Sequence, residues 1–290
     1  SFMVFRILCP VRDPTSGGSR RILLSDWSGS WYCSSMGMKA AWSNLGFWPK
    51  DPQSLIHFDV AACTLAKQLG EQAKLGPEDR VLDLGFGEGR QIAYWFDQFS
   101  INALIGIERD EHAFIKAERF LSSHQSKSAI ELFEGDANLF HEYCVGPFDK
   151  VIALDCAYHF SARRKLFESI FANLVPGGRF VCTDLLLAQV GRLKIKLLHG
   201  ASSLFEIPSG NLLFEEEYEK QLLDAGFSQV TFVPLTEEVL GGFSENWRSA
   251  YESFPEPSKK RFMRYCLTGL MAGFAKRHDL LDYSLIQAVR

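Results

Sequence analysis

No metal or disulfide frame can be read in this chain. Its seven cysteines (Cys9, Cys33, Cys63, Cys144, Cys156, Cys182 and Cys266) are odd in number, scattered and nowhere spaced C-x-x-C. That excludes a paired zinc site and leaves no close trio for an iron–sulfur cluster. They read as reduced thiols of an intracellular, cytoplasmic protein. No apolar run approaches the ~18 residues of a bilayer span, so no stable membrane insertion is expected. Positive charge is not in excess either: 31 Lys and Arg face 35 Asp and Glu, a formal net charge of −4, with a pI near 6.0. Such a balance offers no basic footprint for a phosphate backbone and argues against a nucleic-acid partner. Ser1 and Phe2 ahead of Met3 read as a cloning remnant. The arginines that follow (Arg6, Arg12, Arg20, Arg21) belong either to a loosely docked terminus or to an organelle-targeting segment.

Apolar and aromatic residues are abundant instead. With 290 residues, 24 Phe and six Trp, the chain can form one α/β domain with additions and enclose a cavity as well as a core. Aliphatic and β-branched runs alternate with helical segments, which predicts a doubly wound, mostly parallel sheet covered on both faces. Strands are expected near 80–85, 102–107, 129–133, 149–154, 178–184, 229–234 and 283–289, seven in all, with the last one antiparallel. The first runs into a glycine loop, Val81-Leu82-Asp83-Leu84-Gly85-Phe86-Gly87-Glu88-Gly89. Without side chains at Gly85, Gly87 and Gly89, a ligand can lie against the peptide planes. A dinucleotide fingerprint would place its third glycine where Arg90 stands.

Spaced G-x-G-x-G and preceded by Asp83, the loop resembles motif I of the class I S-adenosylmethionine (SAM) methyltransferases. Four further segments match that family in order. Ala103–Arg109 ends in an acid, Glu108, about 20 residues past the glycines, where both ribose hydroxyls can be held. Gly135-Asp136-Ala137 resembles the adenine-binding segment. Phe148–Phe160 resembles the fourth-strand motif that opens onto the transfer site, and Leu174–Phe180, with Gly177 and Gly178, the turn into strand five. The resemblance implies SAM as methyl donor, S-adenosylhomocysteine as product, and no metal. It also implies cofactor-binding roles for Asp83, Gly85, Gly87, Gly89, Glu108, Arg109, Asp136, Ala137, Asp155 and Cys156. Asp83 would bond the glycine loop or the SAM ammonium, and Cys156 would be a small buried hydrophobe near the cofactor.

SAM carries its own activation, so the protein must mainly align the acceptor and exclude water. A base helps when the acceptor is a hydroxyl, an acidic carbon or a protonated amine. His159, just past strand four, is the candidate base, with an ordinary pKa near 6.5; it is otherwise a packed residue steadying the loop. Tyr158 is the second candidate catalytic residue. Its π face and that of Phe160 suit the sulfonium or an aromatic acceptor, or else fill the core. Asp155-Cys156-Ala157-Tyr158 echoes the D-P-P-Y signature of exocyclic-amine methyltransferases but lacks both prolines, which counts against a nucleic-base substrate.

Three segments fall outside the family core. Residues 1–78 are expected to form an N-terminal extension and aromatic-rich helical cap, with a helix over Gln53–Leu75, ahead of a SAM-binding domain at 79–290. Four of the six tryptophans (Trp27, Trp31, Trp42, Trp48) lie in it beside Tyr32 and Phe47, too many for an exposed arm. Trp42 and Trp48 are candidate substrate-facing residues or hydrophobic anchors. An insertion at 185–214 carries Arg192, Lys194, Lys196 and His199, read as a solvated helix face or as attraction to an anionic substrate or membrane surface. A second insertion, 236–279, is expected as two helices broken at Pro255-Glu256-Pro257. These segments are expected to close over the carboxyl ends of the strands as a lid. The combined expectation is in-line methyl transfer to O, C or N of a small, partly apolar molecule of the kind secondary metabolism handles, with room for a homodimer. A protein or RNA methyltransferase and a non-catalytic SAM-binding scaffold are the alternatives.

Overall fold

In a computed structural model, which describes residues 20–24, 42–49, 57–122, 129–202, 205–252 and 259–290, the aliphatic runs pair into one sheet. Its strands are β1 (Arg21–Leu24), β2 (Arg80–Leu84), β3 (Ala103–Glu108), β4 (Ala129–Glu134), β5 (Phe148–Ala153), β6 (Leu174–Leu187), β7 (Gln229–Pro234) and β8 (Leu281–Val289). Their spatial order is β1-β4-β3-β2-β5-β6-β8-β7. Strands β2 to β6 run parallel, and β8 lies antiparallel between β6 and β7. The seven expected strands are all present. An eighth, β1, pairs antiparallel with β4 at the sheet edge.

The helices are α1 (Phe58–Ala73), α2 (Arg90–Phe99), α3 (Glu111–Ser122), α4 (Phe140–Tyr143), α5 (Arg163–Asn173), α6 (Arg192–Ser202), α7 (Glu215–Asp224), α8 (Gly242–Glu252) and α9 (Lys259–Arg277). Because side chains alternate along a strand, each central strand feeds two cores. Val81, Leu104 and Ile152 face α1, α2 and α3, where Phe58, Trp95 and Phe114 are buried. Leu82, Leu84, Ile105 and Val151 face the opposite layer, built from Leu166, Phe167 and Ile170 of α5 and Tyr218 of α7. Asp83 therefore points into the α2 side, under Trp95.

The N-terminal segment is bound into the first core. The indole N–H of Trp48 donates to the Leu45 carbonyl at 2.9 Å, its backbone N–H donates to Glu238 O at 2.9 Å, and Phe47 N–H donates to Ala61 O at 2.8 Å. A Cβ on Gly242 would lie 2.3 Å from Trp48 Cβ, so glycine at the start of α8 is what admits the indole.

Three expectations are corrected. The reversal at Val175–Gly178 lies inside β6: Leu174 pairs with Phe148 and Arg179 with Lys150, leaving four residues opposite one, with Gly177 at φ 79°. The same strand runs on to Leu187, so the insertion placed at 185 starts later. Cys144, Cys156, Cys182 and Cys266 are free, but Cys63 is disulfide-bonded, so the reading of seven reduced thiols fails there. Trp27, Trp31, Tyr32, Cys9, Cys33, the residues ahead of Arg20 and the break at 255–257 lie outside the described residues. The third segment does form two helices, α8 and α9, preceded by a π-helical turn at 237–241.

Candidate active site

Beyond β2 the chain turns three times through positive φ, at Gly85 (77°), Gly87 (60°) and Gly89 (83°). At Gly87, which faces a cavity, a side chain would strain the backbone and come within 2.9 Å of Ser43 Oγ. Gly85 lines the same cavity, and a Cβ there would meet Cys156 Sγ at 2.7 Å. Gly89 serves packing instead, since a Cβ there would lie 2.9 Å from the Cβ of Ala117 in α3.

Acids brace this loop. Glu108, at the end of β3, accepts from Gly87 N–H at 2.8 Å through Oε2 and from Asp110 N–H at 2.9 Å through Oε1. Each carboxylate oxygen has a second lone pair for a ligand hydroxyl. Burial raises the Glu108 pKa. Asp136 caps the 3-10 turn after β4, accepting from Asn138 N–H at 2.9 Å. Asp83 is fully buried and accepts from Gln91 Nε2 (2.8 and 2.9 Å) and Trp95 Nε1 (3.0 Å). Burial pushes its pKa up to about 7, against those two bonds.

A second cluster shapes the segment after β5. Asp155 is buried at a positive φ of 55°, a conformation that costs a non-glycine residue about 1–3 kcal/mol. Its carboxylate accepts from Leu45 N–H (2.7 Å), Tyr158 OH (3.0 Å) and Tyr283 OH (2.7 Å), and its N–H donates to Thr183 Oγ1 at 2.7 Å. The next turn is held from below. Asn211 Nδ2 donates to the carbonyls of Tyr158 and Phe160, both at 2.8 Å. Buried Arg163 donates to the carbonyls of Ala157 and Asn211 at 3.0 Å while paired with Asp184 at 2.9 Å. His159 sits on this braced turn, its Nδ1 3.1 Å from the Glu206 carbonyl. A carbonyl only accepts, so Nδ1 carries the proton and Nε2 keeps its lone pair. Burial lowers the His159 pKa; Arg109 and Arg264 act in the same direction, against the Glu206 carbonyl. Glu206 itself has a φ of 56° and its side chain reaches Arg109 at 3.2 Å.

These pieces enclose a cavity of about 510 Å³, within the usual range for small-molecule sites, at the carboxyl ends of β2 to β5. Its wall contains Gly85, Gly87, Glu108, Arg109, Asp136, Ala137, Asp155, Cys156, Tyr158, His159 and Phe160. Four expected site residues are elsewhere. Asp83 is covered by α2, and Gly89 packs on α3. Trp42 is buried edge-on against Tyr94 (6.2 Å between centroids) and Trp48 beside Phe58 (6.4 Å). The expected lid also differs: the first segment contributes Ser43 and α9 contributes Arg264 to the wall, whereas the 185–214 insertion acts from behind through Glu206 and Asn211.

Residues 81–178 match the family model described as a methyltransferase domain. Over 261 residues, 86% of this chain and 84% of the relative, the sequence is 27% identical to the erythromycin 3''-O-methyltransferase of Saccharopolyspora erythraea. Together these likenesses support a class I SAM-dependent methyltransferase of the small-molecule type. Among solved structures, the cyclopropane synthase MmaA2 from Mycobacterium tuberculosis has the same fold, with a TM-score of 0.70 at 14% identity, covering 86% of this chain and 90% of that one. The geranyl diphosphate C-methyltransferase from Streptomyces coelicolor A3(2), solved with S-adenosylhomocysteine, has a TM-score of 0.64 at 15% identity, covering 86% and 87%.

The cavity of this methyltransferase fits its cofactor class. Five carboxylates (Glu88, Glu108, Asp110, Asp136, Asp155) against three cations (Arg109, Lys116, Arg264) line it, and Lys116 is paired with Glu88 at 2.6 Å; such a wall suits a sulfonium. Sequence reasoning missed Ser43, Gln91, Asn138, Arg264 and the supports Tyr283 and Asn211. Gln91 carried a readable signal, because it lies one helical turn before Trp95 and directly after the glycine loop. Tyr283 and Asn211 carried none, being brought to Asp155 and Tyr158 only by the sheet order.

Proposed function

We propose that this methyltransferase transfers a methyl group to a hydroxyl oxygen of a small, partly apolar acceptor, with His159 as the general base. Its carrying observation is the His159 Nδ1 to Glu206 carbonyl contact, which fixes the tautomer whose free Nε2 can remove a proton. The lowered pKa keeps that nitrogen unprotonated at neutral pH. Erythromycin 3''-O-methyltransferase, similar over most of its length, supports oxygen as the accepting atom.

Gly85 and Gly87 would lie against the aminoacid end of the cofactor, Glu108 would take the ribose hydroxyls, and Asp136 with Ala137 the adenine. Bound SAM supplies an electrophilic methyl on a cationic sulfonium. Tyr158 and Phe160 would present aromatic walls beside the acceptor. Asp155, with its oxygens committed to Leu45, Tyr158 and Tyr283, is a positioning residue that sets Tyr158 and draws the N-terminal segment over the site. Residues 1–78 would then be a cap on the methyltransferase domain at 79–290.

Incubation with methyl-labelled SAM and a metabolite extract, followed by organic extraction and acid precipitation, tests this. Label in an extracted small molecule as a methyl ether is expected. Label on nitrogen or carbon overturns the oxygen assignment, and label confined to the precipitate moves the enzyme to protein or nucleic acid.

A further inference from the structure

Helix α9 has two unlike faces. One packs on α8: Phe262 meets Trp247 with centroids 5.5 Å apart, Tyr265 meets Phe243 at 6.0 Å, and a Cβ on Gly269 would lie 2.5 Å from Trp247. The other presents Met263 (64% exposed), Leu267 (46%), Leu270 (64%) and Phe274 (51%) to solvent. Their spacing of four, three and four residues keeps all of them on a single stripe. Such a row facing water is a docking surface, and its charge indicates for what. Neither α9 nor α6 contains a single Asp or Glu, in a chain where acids outnumber bases. Lys259, Arg264 and Arg277 are exposed along α9, and Lys194, Lys196 and His199 along α6. The two helices adjoin where Lys194 Nζ donates to the His278 carbonyl at 3.3 Å.

A second copy is a poor occupant for this stripe. Pairing α9 with itself, parallel or antiparallel, sets cation against cation with no acid on the helix to relieve it. An apolar row flanked by Lys and Arg instead has the composition of a helix that lies in the headgroup layer of an anionic bilayer. We propose that α9, assisted by α6, docks this protein on an anionic lipid surface. Arg264, between Met263 and Leu267, also lines the cavity, so the docked face adjoins the cavity mouth. On the methyl-transfer reading above, from which the docking itself is independent, the acceptor enters from the lipid layer and is lipophilic.

Co-sedimentation of the full chain with phosphatidylglycerol vesicles and with phosphatidylcholine vesicles tests the proposal. Binding to the anionic vesicles alone, weakening as salt is raised, is expected. Leu270→Glu and Phe274→Glu should each reduce it at least about tenfold, and Lys259→Glu should weaken it, all with unchanged S-adenosylhomocysteine affinity as the check on folding. Absent binding, or equal binding to both vesicles, overturns the proposal. So does a dimer in sedimentation equilibrium that Leu270→Glu dissociates. Vesicle binding by a protein that does not take up S-adenosylhomocysteine would sink the methyl-transfer reading and leave the docking standing.

Discussion

At His159 the Glu206 carbonyl occupies one ring nitrogen and leaves the other for chemistry. His159→Ala should therefore lower kcat by roughly 10²- to 10⁴-fold and spare SAM affinity; calorimetry alongside turnover separates the two, and unchanged turnover removes the base. The lowered pKa has a definite sign. In the base role proposed above, neutral imidazole is the competent form, so kcat/KM should hold below the ordinary histidine range near 6.5 and fall only at more acid pH, a limb that His159→Ala should lack. Asp83 titrates with the opposite consequence. Its folded pKa of about 7 lies above its ordinary 3.8, so the folded state retains a proton that the unfolded chain has released. Stability from this group is full below pH 4 and declines as pH rises to about 7, by a few kcal/mol. Asp83→Asn should flatten the Tm profile across that window. The expected bond from Asp83 to the glycine loop is not made, for a physical reason: strand alternation turns the carboxylate under α2, onto Gln91 and Trp95. His159 could be found because it lies in the first turn after a strand, whereas the carbonyl that fixes its tautomer lies 47 residues away.

At the scale of an element, the glycine loop divides its labour. Gly87→Val should abolish S-adenosylhomocysteine binding in a calorimetric titration and lower Tm only by the strain of its positive φ, since the nearest obstacle is the Ser43 side chain. Gly89→Val should lower Tm further, because Ala117 and Leu121 of α3 also stand in the way; overpacking of this kind adds about 1–3 kcal/mol. If both variants lose only ligand, the division is wrong. The loop and all four central strands were legible because apolar runs and glycine spacing are local signals. The tryptophans were not. For Trp42 and Trp48 composition left a binding gate and a hydrophobic anchor both open, and Gly242 of α8, distant in sequence, opens the slot that makes Trp48 an anchor. Likewise β6 swallowed the Pro-Gly-Gly reversal, because the register shift against β5 absorbs it without ending the strand.

Across the whole molecule, the N-terminal segment, α1, the sheet and α8 share one core. Denaturant unfolding should then give coincident transitions by tryptophan fluorescence and far-UV circular dichroism, and Trp48→Ala should shift both together by about 3–5 kcal/mol. Two separated transitions would mean that the cap folds apart from the sheet. The mostly parallel sheet and its antiparallel last strand were legible because strands alternate with helical segments, while the edge strand β1, only four residues long, lay in a stretch read as a terminus. The Asp155 cluster has a consequence in time. One of its oxygens is bonded by Leu45, near one end of the chain, and the other by Tyr283, near the opposite end. A ribosome making this protein releases the glycine loop and His159 long before residue 283, so the nascent chain cannot finish the wall of its own site. The Asp155 cluster is therefore completed only once β8 lies between β6 and β7, and chains cut short of Tyr283 should fail to bind S-adenosylhomocysteine although they carry Gly85, Gly87 and Glu108.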